Sequence, residues 1–410
     1  MSTAQVPAGA TAAGDDVALV LTGGGARGAY QVGVLRWLAR TFPTLRVPII
    51  TGVSAGAVNA GHLAGHHGSF PQAVSELEGL WRQLTLENVF RLSPPTLAWS
   101  GARWAARLLS GGLLPRPDVR ALLNTQPLRD YLEEAYAAVQ GEITGVDYNL
   151  RRGTLKAVAI STTDYSTGES VVWVQGRGLR PWSRPRRRAV HTRLTVEHVM
   201  ASAAIPLFFP AVRIGRSWYG DGGMQLTAPL SPALHLGARR IIAISTRYEQ
   251  PGRGRRRKTV LGYPPPATIL GMLLDAVFLD LIEQDAARLE RFNALVRKLP
   301  EERREGLRII DFVALRPSRD LGRLAKKYER QLPTMFRFLT RGLGTAQSAS
   351  PDLLSMLSFI PDYVERIMAV GERDAERQAE RLTALLQGSE STPDLQPGAL
   401  GDVATRGVGC

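Results

Sequence analysis

Residues 47–63, VPIITGVSAGAVNAGHL, carry the reading that decides the fold. Residues 47–51 (VPIIT) form a short apolar run with β-branched members, the pattern of a buried strand. The run leads into Gly52-Val53-Ser54-Ala55-Gly56, and residues 55–63 continue as a helix of small residues. A strand, a sharp turn and a helix in that order hold the Ser54 hydroxyl exposed at the carboxyl end of a sheet, and the flanking glycines let the two backbone segments pass closely. The start of the following helix turns its positive dipole end toward the place where an oxyanion would form. Upstream, residues 17–22 (VALVLT) read as another buried strand, and Val32, Leu35, Leu38 and Ala39 recur at helical spacing after three glycines. Further strands are expected at 155–161, 170–174 and 241–245, with a turn at Thr167-Gly168 between the first two. Strand, turn, helix and strand in this rhythm predict an α/β fold whose mainly parallel central sheet is covered on both faces.

The glycines themselves, Gly23-Gly24-Gly25-Ala26-Arg27-Gly28, allow two readings. As G-x-G-x-x-G after a strand they match a dinucleotide-binding turn, which needs an acidic ribose partner about 20 residues on. No Asp or Glu occurs from residue 17 to residue 75, so that reading has no ribose contact. A phosphate-binding G-x-x-x-x-G-K-[ST] loop is absent as well. The remaining reading is an oxyanion loop, in which bare glycine amides face a developing negative charge, and Ser54 lies 26 positions beyond Gly28 to use it.

A serine is a poor nucleophile near neutral pH until a neighbour accepts its proton. His62, His66 and His67 follow Ser54 on the predicted helix, whose spacing carries them away from the turn, and they are expected on the surface. His191 and His198 flank a basic loop. His235 alone follows an acid in the order Ser, Asp, His. The competing base is Asp221, in the turn Asp221-Gly222-Gly223 after Trp218-Tyr219. A lone Asp-Gly-Gly is ordinarily only a turn.

GGGARG, GVSAG and DGG in this order, with ASAAIPLFFP between the last two, resemble the patatin-like phospholipase family. The resemblance spans roughly residues 17–246 and includes TTDYSTGESVVW and TAPLSPALHLGARRIIAIS. It implies a three-layer α/β/α patatin-like fold, and hydrolysis of lipid acyl esters by a Ser–Asp dyad through an acyl-serine, without histidine, metal or cofactor. On that resemblance Ser54 is the nucleophile in the elbow of Gly52, Val53 and Gly56. Asp221 is the general base in a turn with Gly222 and Gly223. The amides of Gly24, Gly25 and Ala55 form the oxyanion hole, in a loop completed by Gly23, Ala26 and Gly28. Arg27 is either a phosphate-headgroup contact or a solvated arginine at a helix start. Residues 205–209 (IPLFF) are candidates for an acyl groove or for core. Two alternatives stand beside this reading: a Ser–Asp–His esterase using His235, and an idle α/β module that binds lipid or a partner.

Composition bounds the rest. The chain has 410 residues, 51 Lys plus Arg against 37 Asp plus Glu, and 44% hydrophobic residues, as expected of a globular chain with a sizeable core. The one cysteine, Cys410, excludes an internal disulfide and a cysteine zinc site within the chain. No apolar run is long enough to span a membrane, since 268–282 is broken by Asp275 and Asp280, and residues 1–16 lack the pattern of a secretory signal. A cytoplasmic location, with peripheral membrane association, is the expectation. The domain expectation is a disordered tail at 1–16, a catalytic domain at 17–248, a linker and mainly helical C-terminal region at 249–387 with an extra strand at 309–315, and a second disordered tail at 388–410. Of the basic residues only Lys156, Lys258, Lys298, Lys326 and Lys327 are lysines, so the charge is mostly arginine. Two acid-free stretches combine arginine with tryptophan: residues 88–117, with Trp99, Arg103, Trp104 and Arg107, and residues 170–196, with Trp173, Trp182 and seven arginines. The expected partners are a lipid or phospholipid substrate and, through these stretches, an anionic membrane surface. No nucleic acid is expected, for no nucleic-acid module accompanies the arginines.

Overall fold

The computed structural model describes residues 16–91, 106, 110, 121, 123–179, 181–248, 282–334, 336–337 and 352–388. The expected tails before Asp16 and after Gly388, the linker from 249, the stretch 268–281 and nearly all of the arginine–tryptophan stretch at 88–117 lie outside the described residues.

Among the described residues ten strands form one sheet: β1 (Val17–Leu21), β2 (Ile49–Val53), β3 (Ala157–Asp164), β4 (Ser170–Gly176), β5 (Ser183–Arg184), β6 (Arg187–His191), β7 (Val212–Ile214), β8 (Ser217–Asp221), β9 (Arg240–Ile244) and β10 (Asp311–Leu315). The order is β10-β9-β1-β2-β3-β4-β6-β5, and β10, β9, β1, β2 and β3 run parallel. Every strand expected from the sequence is present. β2 begins two residues later than its apolar run because Pro48 has no amide to give to a ladder. Its carbonyl instead receives the amides of Lys156 and Ala157.

Alternation along the strands sorts the side chains onto two faces. Leu19 and Leu21 of β1, Ile50 of β2 and Val158 and Ile160 of β3 enter one core. It is covered by α1 (Ala29–Thr41), α2 (Ala55–Gly65), α3 (Phe70–Gln83) and α12 (Pro361–Arg377). Ala18, Val20, Ile49, Ala157 and Ala159 enter the other core, with Ala233 of α8 (Ser231–His235) and Leu289 of α9 (Ile282–Lys298). The fold is therefore a helix–sheet–helix sandwich. The shorter α4 (Leu86–Val89) packs on α5 (Gln126–Ala135), whose Tyr131 hydroxyl donates to the Leu80 carbonyl of α3; α6 (Thr144–Arg152) packs on α2, and α7 (Val196–Ser202) follows β6.

The C-terminal helices α10 (Leu321–Ala325), α11 (Asp352–Leu357), α12 and α13 (Ala379–Gln387) pack on this same core. α12 lies against α1, where a side chain on Gly33 would overlap the Met368 carbonyl and one on Gly371 the Tyr30 carbonyl. Arg36 of α1 binds Glu78 of α3 at 2.9 Å and also Glu372 of α12, and Arg82 binds Glu365 at 2.8 Å. No helix among the described residues is long and apolar enough to cross a membrane.

Three sequence expectations fail here. His62 is not on the surface: it is buried on the inner side of α2, and its Nε2–H donates to the Ala73 carbonyl at 3.0 Å. Trp173 is not a headgroup-level indole, because it is buried in β4 with its Nε1–H on Thr162 Oγ1 at 2.8 Å. The stretch 170–196 is acid-free only in sequence. Arg188 reaches Asp164 at 3.4 Å and Glu169 at 3.5 Å, and Arg193 reaches Glu142 at 3.3 Å. Folding supplies the acids that linear distance hid.

Candidate active site

β3 organises the site. Its neighbour β2 ends with Val53 opposite Ser161, and β8 takes over the same side of β3 with Asp221 opposite Thr162. Ser54, the next residue after β2, thus meets the last residue of β8 at the seam where one strand leaves and the other arrives. At this seam Ser54 is 2% exposed and Asp221 0%, so the serine stands at the expected end of the sheet but buried rather than exposed.

Ser54 adopts φ 55° and ψ −127°, a conformation that L residues rarely hold without support. The support comes from Ser202 at the end of α7. Its hydroxyl accepts the Ser54 amide at 2.9 Å and donates to the Ser161 carbonyl at 2.7 Å. Two residues on, the Ala204 carbonyl accepts the Asp221 amide at 3.1 Å. One short segment therefore holds both halves of the seam. Gly222 lies against the Ser161 carbonyl so closely that any side chain would overlap it.

Asp221 Oδ1 accepts the Gly223 amide at 2.8 Å, while Oδ2 is buried without a well-formed hydrogen bond. Burial pushes the carboxyl pKa up to about 7, opposed by the nearby Ser54 hydroxyl and the Gly223 amide. The Ser54 hydroxyl is thus near enough to stabilise the charge, although the pair is not in full hydrogen-bond geometry.

The glycine loop closes the other side. A Cβ on Gly23 would stand 2.8 Å from Ser54 Cβ, so the loop runs directly past the serine. Gly24 at φ 149° and Gly25 at φ 57° make the turn that a side chain would strain. Among the described residues the amides of Gly24, Gly25 and Ala55 make no backbone hydrogen bond, and Ala55 opens α2. Ala26 is buried, and Gly28 lets the loop pack on Ala55 and Trp81. Gly52 and Gly56 allow the close passage of β2, α2 and the Leu21 carbonyl.

Arg27 is not a solvated arginine. It is buried, and its Nε donates to Ser355 Oγ of α11 at 2.6 Å. The same helix brings the Met356 carbonyl against Gly25. Sequence reasoning missed Ser355, and it also missed the polar chain behind the loop. Trp81 Nε1 donates to Asn59 at 2.7 Å, Asn59 donates to Gln31 at 2.8 Å, and Gln31 donates to the Thr22 carbonyl at 2.7 Å. Nothing in the spacing of these residues marked them. Ser202 did lie within the quoted ASAAIPLFFP stretch.

His62, His198 and His235 are engaged elsewhere. His235 stacks on Trp182 with centroids 4.3 Å apart, and its neighbours Ala233 and Leu236 belong to the second core. His198 accepts the Thr195 amide through Nδ1 at 3.1 Å. Burial lowers both His62 and His198 to about 4, so both are neutral at pH 7. Ile205, Phe208 and Phe209 are core residues, whereas Leu207 is exposed. Among the described residues no group of three or more His, Cys, Asp or Glu is placed to hold a metal ion.

The family model for patatin-like phospholipase matches residues 19–234, more than half of the chain. No curated protein sequence matches it significantly. Among solved structures, VipD from Legionella pneumophila is 14% identical with a TM-score of 0.35, over 92% of this chain and 67% of that one. Human GIVD cytosolic phospholipase A2, in complex with methyl gamma-linolenyl fluorophosphonate, is 15% identical with a TM-score of 0.44, over 91% of this chain and 59% of that one. ExoU of Pseudomonas aeruginosa, in its complex with SpcU, is 17% identical with a TM-score of 0.27, over 92% of this chain and 74% of that one. This chain therefore spans less than two thirds of the length of the human enzyme it resembles. The family match is the finding that classifies it: the chain belongs to the patatin-like phospholipase family of serine-dependent lipid acyl hydrolases.

Proposed function

We propose that the protein hydrolyses acyl esters of membrane lipids with Ser54 as nucleophile and Asp221 as the only general base. The observation that carries this reading is the seam along β3, where Val53 opposite Ser161 and Asp221 opposite Thr162 bring a strained serine beside a desolvated carboxylate. Ser54 Oγ attacks the ester carbonyl carbon while its proton passes to Asp221 Oδ2. The oxyanion is received by the amides of Gly24, Gly25 and Ala55 at the start of α2. Collapse of the tetrahedral adduct expels the alcohol, which takes the proton back from Asp221, and leaves the acyl group on Ser54. Water then gives a proton to Asp221 and attacks the acyl-serine. The second collapse releases the fatty acid and returns the proton to Ser54. A carboxylate with a pKa of about 7 is a far better base than one at about 4, and serves the neutral range without histidine.

The test is turnover of a soluble nitrophenyl ester by the full chain. Ser54→Ala abolishes it in a protein that stays folded. Asp221→Asn lowers kcat on the order of 10³-fold, within the usual worth of a general base. His235→Ala leaves kcat within about twofold, since its ring only stacks on Trp182. A folded His235→Ala protein as inactive as Asp221→Asn would replace the dyad with a triad.

A further inference from the structure

The register that brings Ser54 to Asp221 also fixes what lies at the same end of the sheet. β8 runs antiparallel to the end of β3, with Asp221 opposite Thr162 and Tyr219 opposite Asp164. Beyond the last ladder pair, the Tyr165 amide still reaches the Trp218 carbonyl at 2.9 Å. The strand therefore enters from outside the sheet, and the β7–β8 hairpin projects past the sheet's carboxyl end. Its turn lies at Gly215-Arg216, about 17 Å of extended chain from Asp221.

This hairpin carries Arg213 and Arg216, both exposed, and Trp218, which is 38% exposed and lies opposite Arg213. No acidic residue occurs from 205 to 220. Neither arginine forms an ion pair among the described residues. Two further turns reach the same rim. The β3–β4 turn presents Tyr165, 44% exposed and packed over Gly220. The β5–β6 turn presents Arg184 and Arg186, because β6 starts beside Ser170 at that end of β4. Of the acids near this rim, Asp164 and Glu169 are both held by Arg188, and Asp285 lies near Arg187. The rim thus offers four exposed arginines and two exposed aromatic rings at the carboxyl end of the sheet, the end at which Ser54 lies.

We propose that this rim, led by the β7–β8 hairpin, is the surface by which the protein rests on an anionic phospholipid bilayer. The occupant follows from the chemistry of the patch. Guanidinium groups pair with lipid phosphates, and amphipathic rings settle at the headgroup level. The hairpin's inner end is Asp221, so a docked hairpin turns the catalytic end of the sheet toward the bilayer. This inference rests on the lipid-hydrolase reading. The experiment reads binding without turnover, so each can fail separately.

The probe is co-sedimentation of the full chain, carrying Ser54→Ala, with vesicles of phosphatidylcholine alone or mixed equally with phosphatidylglycerol. The protein sediments with the anionic vesicles, not with the neutral ones, and the binding fades between low and high salt. Arg213→Ser with Arg216→Ser lowers the partition coefficient roughly 30-fold, about fivefold per arginine. Trp218→Ala lowers it further, and thermal melts confirm that these proteins remain folded. Arg46→Ser with Arg152→Ser removes the same charge just before β2 and β3, at the opposite end of the sheet, and leaves partitioning unchanged. Equal losses in the two arginine pairs would mean a diffuse charge effect and would overturn the proposal. Failure to sediment with either vesicle would also overturn it, and retention on duplex DNA in that case would assign the patch to nucleic acid.

Discussion

At the residue scale the account turns on one carboxyl group. Asp221 has an ordinary turn sequence, yet folding buries it completely and pushes its pKa up to about 7. Two consequences can be measured. For a soluble ester, kcat/KM falls about tenfold per pH unit below about 7 and is level above it, because only the ionised carboxylate accepts the serine proton. A midpoint near 4 would show that the base is an ordinary, solvated acid. Stability moves the other way. The unfolded carboxyl has a pKa of about 3.9, so between that value and about 7 the folded state holds a proton the unfolded chain has lost. The folded state is not penalised below about 4, loses stability as pH rises through this window, and bears a constant cost of at most about 4 kcal/mol above it. Asp221→Asn therefore raises Tm at pH 8 and not at pH 4. A mutant no more stable than the parent at pH 8 would contradict that burial cost. The identity of Asp221 was legible in the DGG turn, but its environment was not, because the desolvation comes from segments far away in sequence.

At the element scale, the site is a matter of where strands and helices stop. The strand–turn–helix around Ser54 and the glycine loop after β1 were legible because strand runs and glycine turns are local patterns. The replacement of β2 by β8 along β3 was not, since it depends on two non-local registers, Val53 with Ser161 and Thr162 with Asp221. The segment from Ser202 to Ala204 holds that junction together, and Ser202 is a positioning residue. Ser202→Ala leaves the buried Ser54 amide and Ser161 carbonyl without their partner, at a cost of about 1–3 kcal/mol. With the elbow released, kcat falls roughly 10–100-fold while KM for a soluble ester is unchanged, as expected when a nucleophile drifts from its place. Ser202→Cys, with a weak donor of similar shape, recovers part of the loss. A lowered Tm with unaltered kcat in the remaining folded protein would make Ser202 merely structural.

At the scale of the whole molecule, the C-terminal region is not an appendage to the family-matched part. β10 extends the sheet beside β9, α11 covers the glycine loop through Ser355 and Met356, and α12 packs on α1. Composition could flag this region as helical but could not tell what its apolar faces cover. For the same reason the burial of Trp173 and His62 is not legible in the sequence, for an indole or an imidazole carries no sign of which neighbour it will meet. The helix contact depends on backbone approach at Gly33 and Gly371. Gly371→Ala, although favourable for an isolated helix, therefore destabilises the protein by a few kcal/mol, on the order of an overpacked core. Thermal melting checks this, and an unchanged or higher Tm would mean that the two helices separate without cost. The most direct test of the dyad treats the intact chain with a fluorophosphonate probe and locates the adduct by peptide mass mapping. A single adduct is expected on Ser54, formed at the parent rate in His235→Ala and about 10³-fold more slowly in Asp221→Asn. An adduct on any other serine, or an undiminished labelling rate in Asp221→Asn, would contradict the dyad.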